Sequence, residues 1–238
     1  MKATRTTFVI CLPLRARPRA AVFSTNASAT TGPKTRPLGH SALEDGVKLR
    51  GRFFGRGNVY VILAHMYPAD QVSWYPFAQV LAEAGYKAFT FDFRGYGVSE
   101  GEKVIPSIDR DLEAALELAR ARGATQVFLV GASMGGTAAL KVAAREDVSG
   151  VVVLSAPLEF KGLDAGDDVS MVSEPLLLIA SERDRSAAAS ATRIFEDAPG
   201  GAELSLLPGS AHGTDMLESN AGDEVRELLL EFLRTHTR

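Results

Sequence analysis

Cysteine is nearly absent. The 238-residue chain has one, Cys11, and a single thiol makes neither an internal disulfide nor a Cys-rich zinc site. Long apolar runs are also missing: no stretch reaches the roughly 18 unbroken apolar residues of a membrane span. Acids are missing from the first 43 residues, which carry Lys2, Arg5, Arg15, Arg17, Arg19, Lys34 and Arg36. The remainder holds 19 basic against 29 acidic side chains, a net charge of −10 concealed by the overall −3. A body of that sign suits a phosphate backbone poorly, so no nucleic-acid partner is expected. What is present, 46% hydrophobic and 23% charged residues, is an ordinary globular composition. It excludes collagen-like, mucin-like and wholly disordered chains.

Residues 1–43 read as a basic leader and 44–238 as the folded body. Lys2 and Arg5 with the short apolar run Phe8–Leu14 resemble a secretory start, but Pro13 breaks the run and the small-residue site Ala27-Ser28-Ala29 lies far downstream. An Arg-rich, Ser-rich, acid-free segment fits an organelle transit peptide better. A disordered tail, or an upstream start codon read into noncoding sequence, stays open beside both. The body is expected in the cytoplasm on the tail reading, and in an organelle or exported if the leader is a cleaved address. Ser24–Lys34 reads as linker.

From residue 44 the pattern turns regular. Asp45-Gly46 signals a hairpin turn before a strand over Val47–Phe54. Six compact apolar runs follow: Val59–Ala64, Lys87–Phe93, Val127–Ala132, Val151–Ala156, Leu176–Ala180 and Leu204–Leu207. Runs this short suit strands buried on both faces of a parallel sheet. Helical periods separate them at Ser73–Ala84, Met134–Arg145 and Ser186–Asp197. Another starts at the expected N-cap Ser107 and ends at Gly123, and a last one carries Val225, Leu228, Leu229 and Phe232. The alternation predicts an α/β fold, a mostly parallel sheet with helices on both faces.

Two strings match G-x-S-x-G: Gly131-Ala132-Ser133-Met134-Gly135 and Gly97-Val98-Ser99-Glu100-Gly101. Ser133 follows a strand and opens a helix, the context that exposes a nucleophile at a sheet's carboxyl edge. Ser99 leads into Lys103-Val104-Ile105-Pro106, which starts no helix. Serine needs a base. Of four histidines, His212 sits in a loop directly after the last strand. His40 precedes the sheet, His236 lies near the C-terminus, and His65, ending the first long strand, reads as a brace for the loop after it. The order Ser, acid, His then selects Asp184, just past Leu176–Ala180. Glu182 and the Asp164, Asp167 and Asp168 group are its competitors. Oxyanion donors are expected from the Met134 N–H and from the loop His65–Gln71, with Tyr67 favoured over Met66. Trp74 is a candidate pocket residue, and Leu158, Phe160, Leu163, Met171 and Val172, between the strands ending at Ala156 and starting at Leu176, are candidates for one wall of the site.

These segments resemble the α/β-hydrolase superfamily over residues 47–236. The resemblance rests on H-M-Y-P-A-D, on F-D-F-R-G-Y-G-V-S-E-G (Phe91–Gly101), on G-A-S-M-G-G, on S-E-R-D and on G-S-A-H-G, in that order at successive strand ends. It implies an eight-stranded sheet, a Ser133–Asp184–His212 triad and relatives among small esterase-like and dienelactone-hydrolase-like members. Two departures stand out: Ser133 where dienelactone hydrolases have cysteine, and Met66 where the family usually has glycine. About 19 residues separate the strands ending at Ala156 and starting at Leu176, little more than a parallel crossover needs, so no lid domain is expected. The expected function is a cofactor-free, metal-free serine hydrolase acting on small or accessible carboxylic esters. A thioesterase or acyltransferase using the same triad is the alternative, ahead of a non-catalytic binding protein on the same fold.

Overall fold

The computed structural model describes residues 22–24 and 46–238. Cys11, His40, Asp45 and the leader apart from three residues lie outside the described residues. In chain order the elements are β1 (Val22–Ser24), β2 (Lys48–Phe54), β3 (Val59–Ala64), α1 (Tyr75–Glu83), β4 (Lys87–Asp92), α2 (Ile108–Ala121), β5 (Gln126–Ala132), α3 (Met134–Ala143), β6 (Gly150–Leu154), β7 (Glu159–Phe160), β8 (Leu163–Asp164), β9 (Leu176–Ser181), α4 (Arg185–Asp197), β10 (Ala202–Leu207) and α5 (Gly222–His236). One eight-stranded sheet has the order β1-β2-β4-β3-β5-β6-β9-β10. Only β2 and β4 pair antiparallel within it. The seven strands read from the apolar runs supply β2 to β10 of that sheet. The eighth, β1, comes from the segment read as leader and pairs parallel to β2.

The apolar runs are continuous because both faces of the sheet are covered. Along β3, Tyr60, Ile62 and Ala64 join one core cluster while Val61 and Leu63 join the other. The first cluster takes Leu112 of α2, Leu140 of α3 and Ile194 of α4. The second takes Leu81 of α1 and Leu229 of α5. The edge strand β10 is only half-buried. Parallel pairing of β3, β5, β6, β9 and β10 brings their carboxyl ends to one edge, where loops converge on a site.

Some local expectations shift. The segment read as one helix from Ser73 opens with a 3-10 turn, Gln71–Trp74, before α1 begins at Tyr75 with Pro76 in its first turn. Ser107 occupies the N-cap of α2, but its side chain makes no capping hydrogen bond. The first-turn acids go to arginines instead. Asp109 meets Arg145 at 2.9 Å. Asp111 takes the Arg94 guanidinium at 2.7 Å and the Arg94 N–H at 2.9 Å, both side chains almost wholly buried. Between β6 and β9 lie the β7–β8 hairpin and a 3-10 turn, Val169–Met171. Among the described residues no helix is long and apolar enough to cross a membrane.

Asp111→Ala removes the buried carboxylate that takes the Arg94 guanidinium and N–H and is expected to lower stability by about 3–5 kcal/mol. Urea unfolding checks this; a loss under about 1 kcal/mol, the surface-pair range, contradicts it.

Candidate active site

The turn from β5 into α3 is crowded. Ser133 sits there at φ 47, ψ −118, a region that L side chains avoid. Its N–H donates to the Leu154 carbonyl at 2.8 Å, and its carbonyl accepts from Gly136 at 2.8 Å and Thr137 at 3.1 Å. A Cβ on Gly131 would stand 2.3 Å from the Gly135 carbonyl oxygen, and one on Gly135 would stand 2.4 Å from the Ala64 carbonyl oxygen. Only glycine allows that approach of helix start to strand ends. The Met134 N–H, first in α3, has no intrahelical acceptor and lies at the positive end of the helix dipole.

Asp184 follows β9 and forms the N-cap of α4, accepting from the Ala187 N–H at 3.5 Å. Its Oδ2 lies 2.5 Å from His212 Nδ1. A carboxylate only accepts, so this contact assigns the proton to Nδ1 and leaves Nε2 as the imidazole's free lone pair. The competing acids are engaged or turned elsewhere. Asp168 is ion-paired to Lys141 at 2.6 Å. Asp164 accepts from the Gly166 N–H at 2.8 Å, while Glu182 and Asp167 are exposed. His236 ends α5 with its ring 4.6 Å from that of Phe232. Ser133 and His212 line one cavity of about 210 Å³ with Ser155, Pro157, Phe160, Ser186 and Ala187.

The loop after β3 is held from beneath. His65 is fully buried. Its Nε2 accepts from the Phe93 N–H at 3.1 Å, so Nδ1 donates to the Met66 carbonyl at 2.9 Å. The only cis peptide among the described residues is Tyr67–Pro68. The Met66–Tyr67 peptide is therefore trans, and its N–H points away from His65. Asp92 ties the far end of the loop, accepting from the Gln71 N–H at 2.9 Å and the Gln71 amide at 2.8 Å. Ser99, of the second G-x-S-x-G string, donates to the Asp92 carbonyl at 2.6 Å and accepts from the Arg50 N–H at 2.8 Å. That hydroxyl is a strut between β2 and β4.

A profile of the S33 serine aminopeptidase family matches residues 59–165, a span that contains Ser133 and ends before Asp184 and His212. The Escherichia coli K12 protein YfhR is 25% identical, over 80% of this chain and 78% of its own. An esterase from Pyrococcus furiosus superposes with a TM-score of 0.70 at 21% identity, over 82% of this chain and 88% of its own. A monoacylglycerol lipase from Palaeococcus ferrophilus superposes with a TM-score of 0.71 at 19% identity, over 79% and 99%. The chain has the α/β-hydrolase fold.

Two expected pocket residues are elsewhere. Trp74 is 0% exposed and packs with Val61, Leu63 and Phe77 in the core beneath α1. Its 3-10 turn directs the indole inward, where burial of so large a ring outweighs any place in the cavity. Met171 is 55% exposed and does not line the cavity. Phe160, one of the expected wall residues, lines the cavity together with Pro157. Ser155, at φ 54 just past β6, also lines it. Its place at a strand's carboxyl end was the available signal. Met66, at the usual glycine position, reaches across to Gly213, where a Cβ would stand 2.6 Å from the Met66 sulfur. A glycine beside His212 thus makes room for Met66. Among the described residues no group of three or more His, Cys, Asp or Glu side chains is placed to hold a metal.

Burial pulls the His65 pKa down from 6.5 to about 4, against the opposing pull of the Met66 hydrogen bond and Asp70. The folded chain keeps His65 neutral while the unfolded chain protonates it first. Its contribution is full above pH 6.5 and is lost as pH falls toward 4. The slope is at most about 1.4 kcal/mol per pH unit. His65→Gln should flatten the stability-versus-pH curve across that window, measured by urea unfolding. Parallel wild-type and variant curves contradict the assignment.

Proposed function

We propose that this α/β-hydrolase cleaves carboxylic esters through an acyl-enzyme on Ser133. The observation that carries the reading is the 2.5 Å Asp184–His212 contact on a cavity shared with Ser133. His212 Nε2 takes the Ser133 proton as Oγ attacks the ester carbonyl. The Met134 N–H and the outward-turned Tyr67 N–H hold the oxyanion, with Met66 supplying the carbonyl that fixes the Tyr67 peptide. As the intermediate collapses, the imidazolium returns the proton to the leaving alcohol, and Asp184 steadies the cation. Water, deprotonated by His212, then attacks the acyl-enzyme, and Ser133 leaves with the proton restored. No step calls on a cofactor.

Substrate size follows from the cavity. About 210 Å³ is below the 300–1,000 Å³ range of drug-sized ligand pockets, so short acyl groups are favoured, or the ester end of a larger molecule. The names esterase and monoacylglycerol lipase borne by the superposed proteins support ester chemistry. The matched S33 profile keeps aminoacyl amides among the substrates to be tried.

A fluorophosphonate probe should label wild type and fail to label Ser133→Ala. Asp184→Asn should cut kcat on a short-chain p-nitrophenyl ester by about 10⁴-fold, since the imidazole is then held in the wrong tautomer. Labelling that survives Ser133→Ala, or near-normal turnover in Asp184→Asn, overturns the triad. Faster cleavage of alanine p-nitroanilide than of any ester would replace the ester reading with the amide one.

A further inference from the structure

We infer that the site is built for esters carrying a second, free anionic group, received by Lys161 beside the cavity, with Lys103 farther along the same row of rings. This deepens the ester-hydrolase reading and rests on it. Phe160 lines the cavity. The Tyr67 ring lies 5.5 Å from the Phe160 ring, and the Tyr96 ring 6.4 Å edge-on from Tyr67. Tyr96 in turn puts its hydroxyl 3.8 Å from the sulfur of Met134, the residue after Ser133. These rings form one row from Phe160 at the cavity through Tyr67 to Tyr96 beside Met134. Two lysine ammoniums lie over it. Lys161 Nζ stands 4.0 Å from the Tyr67 ring centre and 5.4 Å from that of Phe160. Lys103 Nζ stands 4.3 Å from that of Tyr96.

Three features separate this pair from ordinary surface lysines. Both are exposed, and neither makes an ion pair with a described residue. The nearby acids are otherwise engaged or turned outward. Glu159 accepts from the Gly162 N–H at 2.6 Å, Asp70 accepts from the Val72 N–H at 2.8 Å, and Glu102 is exposed. The second feature is backbone strain. Lys161 and Gly162 turn the β7–β8 hairpin at φ 50 and φ 85. Glycine, asparagine or aspartate takes the first of those positions more readily, so a lysine is held there against local preference, beside the cavity. The third is sign. The body outside the leader carries −10, so a cation next to the cavity-lining Phe160 opposes the average field and would focus an anion there. A ring face orients each ammonium by cation–π attraction while leaving its N–H donors for a carboxylate.

The experiment compares kcat/KM on neutral p-nitrophenyl butyrate, on p-nitrophenyl hemiglutarate (free carboxylate on the acyl side) and on 4-acetoxybenzoate (carboxylate on the alcohol side). 4-Acetoxybenzoate is set against its methyl ester. Enzymes are wild type, Lys161→Ala, Lys161→Glu and Lys103→Ala. At least one anionic ester should outpace its neutral counterpart in wild type. That advantage should fall about tenfold in Lys161→Ala, fall further in Lys161→Glu and shrink with added salt, while neutral-ester turnover stays unchanged. Ser133-dependent hydrolysis with no anionic advantage, or an advantage that survives Lys161→Glu, overturns the inference and leaves the ester reading standing. No Ser133-dependent hydrolysis of any ester overturns both.

Discussion

The close approach of α3 to the ends of β3 and β5 is the constraint on which the site depends. Gly131 and Gly135 have no room for a Cβ, because the Gly135 and Ala64 carbonyls already stand where it would go. That contact forces the chain through φ 47 at Ser133. Strain of this kind amounts to roughly 1–3 kcal/mol and is retained because the turn is pinned by hydrogen bonds to Leu154, Gly136 and Thr137. The same geometry places a nucleophile candidate, a helix N-terminus and the loop after β3 within one small volume. Any residue larger than glycine at 131 or 135 would push them apart.

Around that turn the polar groups beneath the site are paired with one another. His65 holds the Met66 carbonyl and so turns the next N–H outward. Asp92, Gln71 and Thr90 form a buried chain linking the loop to β4. Burial raises the Asp92 pKa, and its hydrogen bonds from Gln71 and Val98 oppose that rise. Such networks fix a loop only when each member is satisfied. The loop that would receive the oxyanion is thus set before substrate arrives, which is what electrostatic preorganisation requires. The Arg94–Asp111 pair holds the segment after β4 to α2 in the same way.

What the sequence made legible follows from how local each signal is. Strand-turn-helix context separated Ser133 from Ser99, because both flanking elements lie within ten residues. The Asp184–His212 contact was legible because chain order and strand ends restrict the acid to few places. The pocket wall was legible only at Phe160. Trp74 looked available on sequence alone, but whether a 3-10 turn faces core or cavity is settled by packing against β3 and α1, not by the residues of the turn itself. Lys161 drew no notice for the same reason: its meaning lies in the Tyr67 ring, on a loop distant in sequence, as well as in its neighbour Phe160. The strand at Val22–Ser24 escaped a reading tuned to apolar periodicity. Ser107 takes the expected N-cap of α2 with Asp109 and Asp111 in the first turn, but without a capping hydrogen bond, because nearby arginines engage those acids.

The central claim is covalent: an acyl group passes through Ser133. Its most direct test is rapid quenching of the enzyme during turnover of a p-nitrophenyl ester, followed by intact mass measurement and peptide mapping. The account predicts a p-nitrophenol burst approaching one equivalent when deacylation is the slower step, with one acyl group on the peptide containing Ser133 and none in Ser133→Ala. An acyl adduct mapped to another residue, or undiminished turnover in Ser133→Ala, would contradict it.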